Sequence, residues 1–313
     1  MKSRFVYGPV PSRRLGRSLG VDLVPFKTCS YDCVYCQLGR TTNQTTDLQE
    51  YVSVAVALEE LAERLHAGPR PDFIGLAGSG EPTLHARIGE IIGGIKALSN
   101  IPVAVLTNGS LLWKPEVRAG IAEADVVMPS LDAGSQAVFE RVNRPHPDIS
   151  FERMVDGLMA FSHGFRGKLC LEVFVLADVT DTPDQVGRIA ALAERMRPDR
   201  VQLNTVSRPP CEACALAVSP ANLEKLCERF VGHCEVIAEH LAAPMTRAHA
   251  RDDVDGQIEA LLRRRACTVE GIAVGLGLAP NEVLKHLEVL LTTGAVRSER
   301  RGNVIFYAGV GNR

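Results

Sequence analysis

Short apolar segments alternate with amphipathic segments along the first two thirds of the chain. The apolar segments cover residues 19–24, 73–77, 103–106, 124–130, 169–176 and 201–206. Helical periodicity marks residues 51–66, 84–98, 151–163 and 184–196. Strands that alternate with helices in this way form a parallel sheet with right-handed crossovers. The pattern therefore predicts an α/β domain.

Six such strand-helix units fit before residue 210. A complete eight-unit barrel takes about 250 residues, so the prediction is a partial (β/α)6 barrel of the TIM type. Active sites in parallel α/β folds lie at the carboxyl ends of the strands. The segments that directly follow each predicted strand are therefore where functional residues are expected.

The pattern changes near residue 252. Helical periodicity covers residues 254–265, 268–276 and 279–291, and a hairpin over residues 294–307 turns at Gly302-Asn303. Three helices and a hairpin are typical of a winged helix-turn-helix, which often binds DNA. We predict a barrel domain over residues 1–243 and a winged-helix domain over residues 252–313. Basic residues gather in the predicted wing (Arg297, Arg300, Arg301), but the second domain is nearly balanced in charge. Nucleic-acid contact, substrate docking and dimerisation all stay open for it.

Composition narrows the function classes. The net charge of −2 gives no overall basic field toward nucleic acid or membranes. Nine cysteines are many for a reducing compartment, where clustered cysteine indicates metal or redox chemistry. The amino terminus lacks the apolar core of a signal peptide, and no run reaches the length of a membrane span. We expect a cytoplasmic protein without a membrane partner.

Cys29, Cys33 and Cys36 form a C-x3-C-x2-C motif in a short loop after the first predicted strand. Soft thiolates select iron–sulfur clusters or zinc. A structural zinc site takes four protein ligands, whereas three thiolates on a 4Fe–4S cube leave one iron open to a chelating ligand. The spacing favours a cluster with an open iron, and the alternatives are three reduced thiols without a metal or half of a zinc site.

This motif, with the aromatic Tyr35 before its third cysteine, resembles the signature of the radical S-adenosylmethionine (SAM) superfamily. The resemblance implies that SAM binds the open iron and is cleaved reductively to a 5′-deoxyadenosyl radical, which abstracts hydrogen from a second substrate such as RNA or a peptide. It also implies a small reductant protein of the ferredoxin or flavodoxin type. Residues 7–39 and 201–210 are similar to the wyosine-synthase-related branch. Wyosine synthases carry further cysteines before the motif, and none precedes Cys29 here.

The resemblance assigns SAM-binding positions after three other strands. Residues Gly78, Ser79, Gly80 and Glu81 resemble the Gly-Gly-Glu motif that holds the SAM amino group, with Ser79 as a departure. Asn108 occupies the position that faces the methionine or ribose of SAM. Ser130 and Asp132 are expected on the ribose hydroxyls. Asp132 as the N-cap of a helix over residues 134–142 is the alternative.

Polar residues on the last two predicted strands are further candidates. Glu172 is flanked by apolar residues, so we expect it to face a ligand or to pair with an arginine. Gln202 and Asn204 point to the same side of their strand and are expected to read adenine or the substrate. Arg13, Arg14 and Arg17 in the loop over residues 7–18 are candidate contacts for a carboxylate, as are Arg144 and His146, and solvated or bracing roles are the alternative.

Four cysteines follow the last strand: Cys211, Cys214, Cys227 and Cys234. They are candidates for an auxiliary cluster or a second metal at Cys211 and Cys214, for a redox pair, or for plain buried thiols. Their spacing places Cys227 and Cys234 on one face of a predicted helix. Cys170 and Cys267 are predicted to lie in the core.

Two function classes result. The first is a radical SAM enzyme acting on an unidentified substrate. The second is a regulator in which the cluster senses redox state and the winged helix binds DNA. The SAM-like positions favour the enzyme, because a sensor needs none of them.

Overall fold

Eight strands form one mainly parallel sheet in the computed structural model, which describes residues 5–12, 14–237, 254–278, 280–301 and 304–310. These strands are β1 (Val6–Ser12), β2 (Gly16–Val21), β5 (Phe73–Leu76), β6 (Val103–Thr107), β7 (Val126–Pro129), β8 (Lys168–Val175), β9 (Arg200–Thr205) and β10 (Cys234–Val236). They lie side by side in that order. Strand β1 pairs antiparallel with β2, and the other neighbours are parallel. All six predicted strands are present.

Helices connect the parallel strands, as the alternating pattern predicts. They are α1 (Val54–Ala67), α2 (Ile88–Leu98), α3 (Pro115–Ile121), α4 (Gln136–Val142), α5 (Phe151–Gly164), α6 (Pro183–Met196) and α7 (Pro220–Cys227). Their buried faces pack on strand residues such as Ile74, Val103 and Leu203 in one large apolar cluster. A smaller cluster of Leu15 and Met128, among others, fills the opposite face of the sheet. Burial on both faces explains why the strands read as continuous apolar runs.

Two sheet-edge elements differ from the prediction. Residues 7–18, predicted as a loop, contain the antiparallel strand β1 and the start of β2. Cys234 lies in strand β10 rather than on a helix with Cys227, which ends α7. The two cysteines form a disulfide. A spacing of seven residues fits two turns of one helix, but it also fits a helix that ends and returns to the sheet edge.

Two short elements bracket the cysteine loop. Strand β3 (Thr28–Cys29) pairs with β4 (Asn43–Gln44), so the segment between them leaves and returns to one place. A single 3₁₀ turn at Pro82–Leu84 follows β5. Both elements lie beyond the carboxyl ends of the parallel strands.

The carboxyl-terminal segment has its own apolar cluster. It contains α8 (Val254–Arg264), α9 (Val269–Leu276), α10 (Pro280–Thr292) and the strands β11 (Val296–Arg301) and β12 (Val304–Gly309), which pair antiparallel. Val10 of β1 packs against this cluster. The elements match the predicted order of three helices and a hairpin. The predicted turn at Gly302-Asn303 and residues 244–251 between the two predicted domains lie outside the described residues, and the assignment as a winged helix stays a prediction.

Other local features bear on later arguments. Trp113, the one tryptophan of the chain, precedes α3, and the Arg153 guanidinium lies 4.7 Å from its ring centroid. Cys170 and Cys267 are buried, as predicted. Among the described helices, none has the length and apolar character needed to cross a bilayer.

Candidate active site

The three motif cysteines gather around one ammonium group. The Lys27 Nζ donates to Cys36 Sγ at 3.2 Å. Burial opposes the charged form of Lys27, but the neighbouring Cys36, Cys29 and Cys33 together raise the pKa of this ammonium. The loop is closed by the Cys36 amide, which donates to the Cys33 carbonyl at 3.1 Å. The three thiols therefore lie close enough to one ammonium group for their charges to act on it.

Nitrogen donors point at the other two sulfurs. The Tyr31 amide and the Asn108 side-chain amide each lie 3.5 Å from Cys29 Sγ. The Asn143 side-chain amide lies 3.6 Å from Cys33 Sγ. Donors to sulfur stabilise negative charge on thiolates and tune iron–sulfur clusters. The chain thus offers soft ligands with suitable hydrogen-bond donors.

Burial changes the pKa of two of the motif thiols, Cys29 and Cys33. Burial, reinforced by the charge of Glu81, raises the pKa of Cys29 to about 12. Burial also raises the pKa of Cys33 well above its usual range. Within the described residues, no three His, Cys, Asp or Glu side chains are arranged around a single metal ion. A 4Fe–4S cube does not need such an arrangement, because each of three different irons takes one thiolate.

Glu81 joins the ends of β5 and β6 through hydrogen bonds. This residue is 2% exposed. Its carboxylate accepts hydrogen bonds from the Thr83 amide (3.0 Å), the Thr83 hydroxyl (2.6 Å), the Thr107 hydroxyl (2.6 Å) and the Asn108 amide (2.7 Å). Burial raises the pKa of Glu81, and the hydrogen bonds from Thr107 and Thr83 oppose that rise. The carboxylate holds the end of β6 against the turn after β5.

The segment Ala77–Glu81, which we call the β5 edge, lies against the start of the cysteine loop. The Lys27 amide donates to the Ser79 carbonyl at 2.7 Å, and the Glu81 amide donates to the Thr28 carbonyl at 3.1 Å. A Cβ at Gly80 would lie 1.8 Å from the Thr28 carbonyl oxygen, so this close approach requires glycine. The edge and the cysteine loop are therefore one rigid unit.

Asn108 belongs to the same unit. Its side-chain amide also donates to the Ser30 hydroxyl at 2.9 Å, and its side-chain oxygen accepts from the Ser110 amide at 2.9 Å. The structure therefore places Asn108 between Cys29 and the β6 end. Its side chain is engaged by protein groups.

Tyr35 and Asp132 form a second unit on the far side of the cysteine loop. The Tyr35 hydroxyl donates to the Asp132 carboxylate, and the Tyr35 ring stacks on Phe174 with centroids 4.0 Å apart. Asp132 also accepts from the Asn143 side chain (2.8 Å) and the Phe174 amide (3.0 Å). Burial raises the pKa of Asp132 to about 6.

The alternative role for Asp132 is wrong. Helix α4 begins at Gln136 and its N-cap residue is Ser135. Asp132 instead joins the cysteine loop to β8, because its partners come from both. Ser130, two residues earlier, forms a parallel bridge with Glu172 and is half-buried. Its side chain lies at the carboxyl end of β7.

Glu172 pairs with an arginine, which was one of the two predicted outcomes. Arg14, from the turn between β1 and β2, donates to both carboxylate oxygens of Glu172. The Asn204 side chain donates to the same carboxylate at 2.9 Å. Gln202 donates to the Glu235 carboxylate at 2.8 Å, while its own side-chain oxygen is buried and has no partner among the described residues. The inner side of β8, β9 and β10 is therefore polar.

The other candidate residues have structural partners. Arg144 forms a salt bridge with Glu212 at 3.0 Å, and His146 lies 3.5 Å from Asp148. Arg17 pairs with Asp72 near the surface at 3.6 Å. Arg13 lies outside the described residues.

The four cysteines that follow β9 do not form one ligand set, because two of them are joined to each other; a metal at Cys211 and Cys214 stays a prediction. Cys227 and Cys234 are joined to each other, and Cys211 and Cys214 are free thiols, the latter exposed. The Glu212 amide donates to the Val34 carbonyl at 2.9 Å, so this loop braces the cysteine loop. Burial raises the pKa of Cys211.

Sequence reasoning missed four residues of the site: Asp22, Lys27, Asn143 and Arg264. Lys27 had a signal, because a lysine two residues before the motif is within reach of its thiols. The other three come from segments that no spacing rule connects to the motif. Asp22 binds the Ser79 amide at 3.0 Å and the Arg264 guanidinium at 3.1 Å.

The comparisons with known proteins agree with this site. A family model described as the radical SAM superfamily matches residues 23–206, which contain the cysteine loop and the parallel strands from β5 to β9. The chain belongs to the radical SAM superfamily of enzymes. Membership implies a 4Fe–4S cluster and SAM as its cofactors.

Within the superfamily the chain belongs to the UPF0026 family. It is 34% identical over 313 residues to a UPF0026 protein of Helicobacter pylori, covering 97% of each chain. It is 33% identical over 238 residues to a UPF0026 protein of Methanocaldococcus jannaschii, covering 75% of this chain and 73% of that one. A protein named GTPase Obg of Brachyspira hyodysenteriae is 39% identical over 309 residues, which are 98% of this chain and 45% of that protein. The chain thus spans less than half of that relative.

Solved structures share the fold. A radical SAM methyltransferase from Sphaerobacter thermophilus superposes with a TM-score of 0.56 at 15% identity, covering 70% of this chain and 65% of that one. SuiB of Streptococcus suis, bound to S-adenosylmethionine, gives a TM-score of 0.51 at 15% identity, covering 69% and 50%. The α/β fold with its mainly parallel sheet is therefore that of radical SAM partial barrels.

Proposed function

We propose that this protein binds SAM beside a cluster held by Cys29, Cys33 and Cys36, cleaves it reductively, and uses the radical on a second substrate at the mouth of the sheet. The observation that carries the proposal is the position of the three half-buried motif thiols near Lys27, with amide donors aimed at two of the sulfurs. When bound, the reduced cluster supplies one electron that splits SAM into methionine and a 5′-deoxyadenosyl radical.

The chain's own groups orient SAM in this proposal. The β5 edge lies beside the cysteine loop, and the carbonyl oxygens of Gly78 and Gly80 have no hydrogen-bond partner within the described part of the chain. Backbone carbonyls are suitable acceptors for an ammonium group. We assign the SAM amino group to this edge and the ribose to the region of Ser130. Glu81 and Asp132 act by fixing the edge and the cysteine loop, because their carboxylates are occupied by protein donors.

The polar inner side of β8 to β10 is the proposed contact for adenine or substrate. Gln202 keeps a buried oxygen without a partner among the described residues, and such a group favours a ligand donor that would satisfy it. A small ferredoxin- or flavodoxin-type protein is the proposed electron donor.

Anaerobic reconstitution tests this proposal. The protein loaded with iron and sulfide, then given SAM and dithionite, should form 5′-deoxyadenosine. Cys29→Ala, Cys33→Ala and Cys36→Ala should each lose the cluster and the product, whereas the exposed Cys214→Ala should keep both. A chain that binds no iron, or that retains full product formation in the three variants, would contradict the proposal.

For the carboxyl-terminal segment we propose a winged helix that presents substrate RNA to the mouth. Arg297, Arg300 and Arg301 are exposed on β11, whose one acidic residue, Glu299, pairs with Arg301. The strand therefore carries a net positive charge, and basic charge is the electrostatic footprint of nucleic-acid binding. The similarity of residues 7–39 to the wyosine-related branch also favours RNA over peptide. Binding of total tRNA by the reconstituted protein, weakened by Arg297→Ala and by rising salt, is the expected result.

The rival is a redox-sensing DNA-binding regulator. It predicts tight binding of duplex DNA that depends on the oxidation state of the cluster, without formation of 5′-deoxyadenosine. A gel-shift assay on oxidised and reduced protein separates the two functions.

A further inference from the structure

The carboxyl-terminal segment contacts the barrel next to the β5 edge. Arg264, the last residue of α8, donates from Nη1 to the Asp22 carboxylate at 3.1 Å. Its guanidinium carbon lies 3.9 Å from the centroid of the Tyr7 ring. Val10 of β1 packs into the apolar cluster of the same segment. Asp22 follows β2, so this contact lies at the carboxyl end of the parallel strands, where the cluster loop begins.

Both barrel partners of Arg264 hold the β5 edge. Asp22 accepts from the Ser79 amide at 3.0 Å and from the Ser79 hydroxyl. A Cβ at Gly78 would lie 2.3 Å from the Asp22 carboxyl carbon, so this carboxylate packs directly on the edge backbone. The Tyr7 hydroxyl donates to the Ala77 carbonyl at 3.1 Å. Arg264 thus contacts two residues, Asp22 and Tyr7, which in turn contact three consecutive residues of the β5 edge, Ala77, Gly78 and Ser79.

The buried carboxylate of Asp22 needs the positive charge that Arg264 supplies. The residue is 7% exposed, and a buried carboxylate is unfavourable without a partner charge or donors. Arg264 supplies a positive charge, and its stacking on Tyr7 fixes the plane of the guanidinium. Without Arg264 the carboxylate would turn toward water and loosen its hold on Ser79.

We propose that Arg264 is a positioning residue for SAM: through Asp22 and Tyr7 it fixes the Ala77–Glu81 edge, so that docking of the carboxyl-terminal segment sets the affinity for SAM. The inference rests on the proposed binding of the SAM amino group at this edge. It makes the barrel alone an incomplete SAM site. It also gives a substrate bound to the carboxyl-terminal segment a direct route to the cofactor.

Two measurements on the anaerobic, cluster-loaded protein test this inference. Equilibrium dialysis gives the dissociation constant of SAM, and hydrogen–deuterium exchange without SAM gives the protection of the amides at positions 77–81. In Arg264→Ala we expect about a tenfold weaker SAM affinity, equivalent to about 1.4 kcal/mol, and at least about tenfold faster exchange at the edge. The limiting rate of SAM cleavage should fall less than the affinity, because the residue does not touch the reacting atoms.

Matched variants separate positioning from general damage. Arg263→Ala removes the neighbouring arginine, which is exposed and pairs with Glu259, and should change neither measurement. Arg264→Lys restores the charge and should recover most of the affinity. Asp22→Asn, on the barrel side, should weaken SAM to a similar extent, and combining it with Arg264→Ala should add little.

The outcomes are distinct. Wild-type affinity and wild-type exchange in Arg264→Ala would overturn the inference while leaving the SAM site intact. Additive losses of SAM affinity in the double variant would also overturn it, because they would show that Arg264 does not act through Asp22. If the loaded wild-type protein does not bind SAM at all, the proposed SAM site fails and the inference fails with it. Should Arg264→Ala not fold, Asp22→Asn carries the same test from the barrel.

Discussion

Two buried carboxylates hold the β5 edge, and they are held in different ways. The Glu81 carboxylate takes its four hydrogen bonds from Thr83 in the 3₁₀ turn and from Thr107 and Asn108 at the end of β6. Asp22 shares its charge with Arg264, which lies 242 positions away in the carboxyl-terminal segment. The first set of contacts is complete within the barrel, and the second depends on a separate apolar cluster. The β5 edge is therefore held by one carboxylate, Glu81, whose contacts lie within the barrel, and by a second, Asp22, whose contact with Arg264 depends on docking of the carboxyl-terminal segment.

Removing the Glu81 carboxylate should have the largest effect on stability. Glu81→Ala leaves two buried amides and two buried hydroxyls without their acceptor, at about 1–3 kcal/mol for each orphaned group before relaxation. We expect the free energy of unfolding to fall by about 3–5 kcal/mol, measured by urea denaturation with circular dichroism. The exposed carboxylate Glu90, paired with Arg87, is the matched control, and Glu90→Ala should leave the denaturation midpoint unchanged. A midpoint in Glu81→Ala equal to that of the control would contradict the role of Glu81 in joining the two strand ends.

Breaking a pair that joins distant strands should have the next largest effect. Arg14→Ala leaves the Glu172 carboxylate, whose side chain is 16% exposed, with the Asn204 amide but without its charge partner. We expect a loss of about 3 kcal/mol, at the lower end for buried pairs because some water reaches this one. Adding Glu172→Gln should restore part of the loss. An additive double variant would show that the two side chains do not interact.

A smaller, pH-dependent effect should come from Asp132. Its pKa of about 6 in the folded protein lies above the ordinary value of 3.8, so the folded state binds this proton more tightly than the unfolded state. The resulting stabilisation is fully present below about pH 4 and is lost as the pH rises through about 6, in total about 3 kcal/mol. Asp132→Asn should lack this part of the pH dependence in urea denaturation between pH 4.5 and 7.5. Parallel profiles for the two proteins would show that Asp132 titrates normally.

Tyr35→Phe should have the smallest effect, a change in the pH dependence of stability that Asp132 causes. The Tyr35 hydroxyl is a donor that lowers the pKa of Asp132 against the effect of burial. Without it, the pKa of Asp132 in the folded protein should rise, so the loss of stability should still begin near pH 4 but continue to a higher pH, while the stacking on Phe174 is kept. An unshifted profile would mean that the hydroxyl does not stabilise the charged carboxylate.

The local pattern of the chain predicts much of this structure. The six central strands and four of the helices follow from apolar periodicity, and the C-x3-C-x2-C spacing alone brings three thiols together. Strand β1 was missed because its glycine and two prolines read as a loop. Strand β10 was missed because a three-residue strand has no period of its own.

The roles of individual polar residues were harder to predict. Glu81 and Asp132 carry the residue types expected of ligand contacts, but their carboxylates are satisfied by protein donors. The residue type alone does not show whether a carboxylate binds a ligand or donors from the protein. Arg264 had no signal at all, because its contact with Asp22 exists only after two separate parts of the chain have folded and docked.

The position of Trp113 has a practical consequence. The cations that lie over its ring, Lys114 and Arg153, both belong to the barrel. Intrinsic fluorescence excited at the indole band will therefore follow the barrel alone. Undocking of the carboxyl-terminal segment should be silent in that signal, and a label placed near Tyr7 would be needed to see it.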